Sequence, residues 1–415
     1  MGLFPSGMRD HPLVLFPDFR KFFAGRFVSA VGDKFFSIAL AWWVVSSGGS
    51  NSSLHLGLLM AMTIAPIVLF GPFMGTLADR FHRKGCMIAA DVLRLLLLLL
   101  LVALLATDRL TLPVLYLLVF AISLFMPLFE AAANSSLEAL TDRGHVAAAA
   151  AVNSTAFQFS SVIGAALGGA ALAALGSLGA FLFDGGTFCL SLLFVAAIRS
   201  DLSAPHRGKA RSGYGKELAE GFAYLRDNRP VALLLAVFGA FNFFFSPLLL
   251  SIPLAVRFVL DEGPLWVGLF EGSLALGALL AALALSLRPF ANPYERSVLG
   301  LSATATAIIL FGVVGHRETM AASLFVAGLG LGTVNATMPA FFQQIVPDAV
   351  KGRFFALLTA VCYAVMPLAF ILFGFLNHVL SLPVLLAANG TGALLLALVA
   401  LKLPRAAAEP GKTGP

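Results

Sequence analysis

The sequence predicts an all-α membrane protein with twelve transmembrane helices in two six-helix halves. Three observations carry that prediction. Hydrophobic residues make up 59% of the 415-residue chain and charged residues only 12%, with a mean hydropathy of +0.93, whereas soluble domains carry about 25% charge. The charges lie in short islands between apolar runs of about 20 residues or more, enough to cross a hydrocarbon core of roughly 30 Å. One long polar stretch, Asp201–Asn228, divides those runs six and six.

In chain order, spans are expected near 22–47, 54–78, 84–106, 112–139, 147–175, 178–200, 229–258, 264–288, 293–315, 319–346, 351–380 and 382–403. Arg9, Arg20 and Lys21 precede the first span with no cleavage pattern behind a short apolar core, so a cleaved signal peptide is not expected. This gives a first half at 1–200, a linker at 201–228, a second half at 229–403 and a disordered tail at 404–415. The linker starts loosely and is expected to become an interfacial amphipathic helix around Lys216–Leu225, with Leu218, Phe222 and Leu225 on one face. The halves echo each other weakly. The fourth span ends in Leu140-Thr141-Asp142-Arg143 and the tenth in Val346-Pro347-Asp348, with Lys351 and Arg353 following.

Charge sets the orientation. Arg80, Arg83, Lys84, Arg143, Arg288, Arg296, Lys351, Arg353, the linker bases and both termini fall on one face, and the other face shows Arg109 and Arg317. By the positive-inside rule the termini are expected to be cytoplasmic, in a multi-pass protein of a bacterial-type inner membrane. The net charge of +6 is thereby a topology signal, and no nucleic-acid partner is expected. Cys86, Cys189 and Cys362 are far apart and read as free thiols. The seven histidines are scattered, and no metal cluster, nucleophile triad or nucleotide-binding loop emerges, so neither an enzyme nor a cofactor is expected.

The most informative stretch is Gly75-Thr76-Leu77-Ala78-Asp79-Arg80-Phe81-His82-Arg83-Lys84 between the second and third spans. Gly75 and Ala78 would let two helices approach closely, Asp79 sits at a helix end, and the bases hold the turn on one side. The pattern resembles the signature loop of the major facilitator superfamily. Ser29-Ala30-Val31-Gly32-Asp33, Asp91-Val92-Leu93-Arg94, and Val346-Pro347-Asp348 followed by Gly352-Arg353-Phe354 are similar to its bacterial exporter branch, which includes macrolide efflux proteins and the enterobactin exporter. The resemblance implies a secondary carrier working by alternating access, with its site at mid-depth. It also implies that Asp79 meets the start of the eleventh span when the cytoplasmic side is closed, with Arg80, Arg83 and Arg353 in the same gate. Gly164, Gly168 and Gly169 are similar to an antiporter motif that has proline where this chain has Ala165.

Among the embedded charges, Asp33 lies deepest in the first span, with Lys34 beside it pointing about 100° away. A carboxylate at that depth costs several kcal/mol unless protonated or paired, the property a proton-coupling or cation-binding site needs. Glu130, after the kink-forming Pro127, is expected to be its partner acid in the cavity. Asp91 and Arg94, three apart on one helix face, are expected to pair with each other and to reinforce the cytoplasmic gate. Asp184 and Glu271 are read as outer-gate residues or as wet charges near the outer surface. Phenylalanines crowd the first and seventh spans, which suits an amphipathic, neutral or cationic small molecule better than a sugar. Protons and the lipid bilayer complete the expected partners, and a monomer suffices for the fold. A lysophospholipid flippase, a uniporter and a non-transporting receptor remain as alternatives.

Overall fold

The computed structural model describes residues 10–203, 214–287 and 292–403, with backbone alone for 214–218. The expected tail, the loose first part of the linker and Arg288 lie outside the described residues. Everything regular among them is helical. The membrane helices are α1 (Pro17–Ser47), α2 (Ser52–Arg80), α3 (Arg83–Ala106), α4 (Leu112–Ser135), α5 and α6 within Val146–Ala196, α7 (Arg229–Leu254), α8 (Pro264–Leu287), α9 (Pro293–Val313), α10 (Arg317–Ile345), α11 (Asp348–Leu376) and α12 (Leu382–Lys402).

Eleven continuous helices are long and apolar enough to cross a membrane, and one of them, at 51 residues, supplies two crossings. The turn between its halves is Gly176, at φ 67° and ψ −180°. That positive φ is disfavoured for a residue with a Cβ, so a glycine is needed there. Contacts with α1 prove the reversal. Ser160 Oγ donates to Phe27 O at 3.2 Å, and further along, Gly168 lies against Phe35 and Ile38. Beyond Gly176 the direction inverts: Thr187 faces Gly32, and Ser191 and Phe194 face Gly25. Residues 146–175 therefore run parallel to α1, residues 177–196 antiparallel to it, and the crossings number twelve.

The helix starts follow local chemistry. Pro113, Pro230 and Pro383 occupy the first turns of α4, α7 and α12, where a missing N–H costs nothing. The helix ends near the signature loop are closed by its own bases. Arg83 Nη1 donates to Ser135 O at 2.6 Å, and Lys84 Nζ to Ala196 O and Ile198 O at 2.9 and 2.8 Å. Lys21 Nζ adds a bond to Ala197 O at 2.9 Å. Cations at exposed carbonyl ends favour the helix dipole by about 0.3–1 kcal/mol each.

The chain forms two compact units. The first comprises the described residues of Met1–Val44, Met62–Gly208 and Pro264–Gly268, and the second those of Val45–Ala61, Lys209–Gly263 and Leu269–Pro415. In the first, a core around Phe19, Phe22, Met87, Phe129 and Leu137 packs α1, α2, α3 and α4 together. In the second, α9 packs on α10 and α12, and α7 on α11 and α12. With lipid as apolar as leucine, the helices of the second unit are joined by small and hydroxyl residues. Ser297 and Thr337 share a 2.7 Å hydrogen bond, and Tyr294 Oη donates to Ala400 O.

The linker helix runs Tyr214–Asp227 and lies on α11. Its Glu220 binds Arg353 at 2.7 Å, and Tyr224 meets the Phe354 ring edge-on at 6.4 Å. The expected face is shifted: Gly221 and Leu225 are buried, whereas Phe222 is exposed. Contact with α11 runs through Gly221, which comes within van der Waals reach of Arg353 and Leu357, and this rotates Phe222 outward.

Candidate functional site

The first unit holds four buried or half-buried charges at one place. Arg94 Nη2 in α3 donates to Asp33 Oδ1 in α1. The guanidinium also lies 4.4 Å from the centre of the Phe188 ring in α6, a cation–π contact that offsets part of its desolvation. Asp91, one turn before Arg94, is 0% exposed, and Asp184 in α6 is 1% exposed. Ser191 Oγ donates to Asp91 Oδ2 at 2.8 Å, and Thr187 Oγ1 to Asp184 Oδ1 at 3.2 Å. Arg94 is within electrostatic reach of all three carboxylates.

Gly32 makes this possible. A Cβ there would stand 2.0 Å from Thr187 Oγ1 and 2.5 Å from Asp184 Oδ1, so only glycine lets α6 bring its acid against α1. Three carboxylates face one guanidinium, which leaves two acids in excess. Two polar atoms in the cluster, Asp91 Oδ1 and Arg94 Nε, are buried with no hydrogen-bond partner among the described residues. About one third of the Asp33 side chain is exposed, while the Arg94 side chain behind it is 8% exposed. The site is thus an acid at an opening, backed by a buried base and two buried acids.

A model of the transmembrane secretion effector family, a branch of the major facilitator superfamily, matches residues 13–412. The chain belongs to that family. It is 24% identical over 370 residues to macrolide efflux protein A of Streptococcus pyogenes, covering 85% of this chain and 88% of the relative. It is 24% identical over 377 residues to the multidrug efflux pump Tap of Mycolicibacterium fortuitum, covering 89% and 91%. Among solved structures, the nucleoside transporter NupG superposes with a TM-score of 0.75 at 12% identity, covering 93% of this chain and 99% of that one. A peptide transporter POT gives 0.76 at 14% identity, covering 97% and 95%. These last two support the fold alone. The protein is a multi-pass major facilitator transporter.

Of the predicted site residues in this transporter, Asp33, Asp91, Arg94 and Asp184 come together, and Glu130 stays apart. Glu130 accepts two hydrogen bonds from Arg26 Nη2, at 2.8 and 2.7 Å, so its partner is an arginine and not Asp33. Arg26 was invisible as a site residue beside its neighbours Arg20 and Lys21. The signal that finds it is spacing: positions 26 and 33 are seven apart, two turns on one face of α1. Both carry ion pairs to other helices. Arg94 likewise turns to Asp33, while the direct partner of Asp91 is Ser191. Asp184 lies eight residues past Gly176, about 12 Å along the helix, and is buried rather than wet. Glu271 is half-buried in α8.

Asp79 and Arg80 are exposed at the end of α2. Arg83 caps α4 as described, and Arg353 is held by Glu220 of the linker helix. Gly164 lies against Lys34 and Gly168 against Phe35, and a Cβ on Gly169 would stand 2.7 Å from Gly268 Cα. All three glycines of the antiporter-like motif therefore serve close helix packing. Gly75 does not: a Cβ there meets nothing within 4 Å among the described residues, because the buried position of this turn is Ala78. Gly75→Ala is accordingly expected to hold or raise the melting temperature, by up to about 1 kcal/mol of helix propensity. Thermal unfolding of the purified protein checks this, and a clear loss would show a packing role.

Glu130→Gln leaves Arg26 largely buried without its counter-charge. A loss of about 1–2 kcal/mol is expected, below the full value of charged hydrogen bonds because Glu130 is one third exposed. The same unfolding assay reads it, with Arg26→Met/Glu130→Gln expected to recover part of the loss.

Proposed function

We propose that this chain is a proton-coupled exporter of amphipathic small molecules, macrolides among them, in a bacterial cytoplasmic membrane with both termini inside. The observation that carries the reading is the cluster of Asp33, Asp91, Asp184 and Arg94, which has two acids more than its base can balance. An embedded group of that composition takes up protons to reduce its charge. Asp33 is the acid that exchanges protons with water, since it is the open one. When Asp33 is protonated its hold on Arg94 weakens, and the guanidinium turns toward Asp91 and Asp184, where Asp91 Oδ1 and its own Nε are still free to bond. When Asp33 loses the proton the original pair reforms. Two discrete pairings of one buried arginine make the switch that coupling requires.

In the transport cycle a proton entering from outside neutralises Asp33 and is given up inside, and the compound leaves in the opposite direction. Asp79, Arg80, Arg83 and Arg353 govern the change of accessibility. Glu130 and Glu271 are the further acids offered to protons or to a cationic group of the substrate. Export as the direction is supported by the two efflux relatives.

Accumulation of a labelled macrolide in a pump-deficient bacterium tests the proposal. Cells carrying the transporter are expected to accumulate less than empty cells, and a protonophore is expected to abolish the difference. A difference that survives the protonophore would overturn proton coupling. Equal accumulation, with the protein present in the membrane, would overturn macrolides as substrates.

A further inference from the structure

The second unit contains a cavity of about 380 Å³ that the coupling cluster does not use, within the usual size of small-molecule sites, roughly 300–1,000 Å³. It lies where three connections meet: the start of α2, the end of α7 and the turn from α11 to α12. Its polar wall consists of Ser50, Ser52, Ser53, Asn377 and Ser381, and Phe258 stands on its apolar wall. No charged side chain lines it.

Two features mark it as built for a ligand. Asn377 Oδ1 is buried and has no hydrogen-bond partner among the described residues, so the pocket offers an unused acceptor, whose burial costs about 1–3 kcal/mol until a donor reaches it. Second, α7 ends in a π-helical turn, Ala255–Val259, a local widening frequent at functional sites. It places Phe258 and Val259 on the wall. Ser52 and Ser53 spend their hydroxyl protons internally, Ser52 on Gly49 O at 2.7 Å and Ser53 on Gly374 O at 3.1 Å. Their outward lone pairs are left as acceptors.

A neutral wall of hydroxyls and one amide acceptor opposite an exposed aromatic ring fits a ring with several O–H donors and one apolar C–H face. We infer that this cavity binds a neutral polyhydroxylated ring, that is, a glycosyl group. With the termini inside, the three connections lie at the outer face. The group belongs either to a water-soluble glycoside or to the headgroup of a neutral glycolipid. This site is independent of proton coupling, and its test reads binding alone.

The full-length protein carrying Cys189→Ser and Ser381→Cys is placed in nanodiscs, where the remaining Cys86 and Cys362 are buried. The rate of maleimide labelling at position 381 is then measured. Probes are methyl β-glucoside in solution and monoglucosyl diacylglycerol in the bilayer, against decyl phosphocholine as a charged control. At ten times its dissociation constant a bound probe slows labelling about tenfold, and Asn377→Leu is expected to abolish the slowing. Slowing by the soluble glucoside assigns the site to soluble glycosides, and slowing by the glycolipid alone assigns it to the lipid headgroup. Unchanged labelling with both sugars, equal slowing by decyl phosphocholine, or protection that survives Asn377→Leu would each overturn the inference.

Discussion

Arg94→Met is expected to cost more stability than any other single change in the first unit, about 3–5 kcal/mol, because it leaves three embedded carboxylates with no base. The arginine is 6% exposed, so water can replace little of what it loses. The account makes a sharper statement about the rescue. Neutralising the two buried acids in the same background, as Arg94→Met/Asp91→Asn/Asp184→Asn, removes the uncompensated charge and should restore much of the melting temperature. It should not restore export, because the base that exchanges partners is gone. Thermal unfolding together with macrolide accumulation reads both halves. Recovery of export along with stability would reduce Arg94 to a structural counter-charge.

Gly32→Val is expected to be nearly as severe, and for a steric reason. Its Cβ alone would sit 2.0 Å from Thr187 Oγ1, and the branched side chain requires still more space. Overpacking of this kind costs about 1–3 kcal/mol. Here it also moves Asp184 away from Asp33 and Arg94, so export should fall further than stability. Full efflux with an unchanged melting temperature would show that α6 does not need its close approach to α1. Gly75→Ala, at an open position, is the matching control.

How much of this was legible in the sequence depends on whether the signal is local. The membrane helices were, because hydropathy, proline and charge mark their ends: α3 begins at Arg83 after the polar turn, and α4 begins at Leu112-Pro113. Even the hairpin hidden inside Val146–Ala196 was placed between 175 and 178, close to the Gly176 that makes it. The depth of Asp33 was likewise readable from its distance to the charged helix end.

Partner choice was not legible, because it is decided across helices far apart in the chain. Arg94 and Asp33 are 61 residues apart, and Arg26 and Glu130 are 104 apart. A three-residue spacing favours Asp91 with Arg94, but such a pair is worth only about 0.2–0.5 kcal/mol on an exposed helix. Burial changes the balance, since the guanidinium turns to the acid on the facing helix and Ser191 satisfies Asp91. Asp184 was misplaced for a related reason. Position along a helix gives depth, but which face is covered depends on Gly32, a residue of another helix. The glycines of α5 were read as packing residues, and their partners came only with the fold.

The most direct test of the central claim is substrate-triggered proton release from inside-out vesicles energised to an acid interior, comparing the wild type with Asp33→Asn and Glu130→Gln. A macrolide added to wild-type vesicles should release protons. Asp33→Asn should abolish the signal while the protein remains in the membrane, and Glu130→Gln should keep it at reduced size. An undiminished signal from Asp33→Asn would contradict the account, because the acid that opens the buried cluster to water would then not be the one that carries the proton.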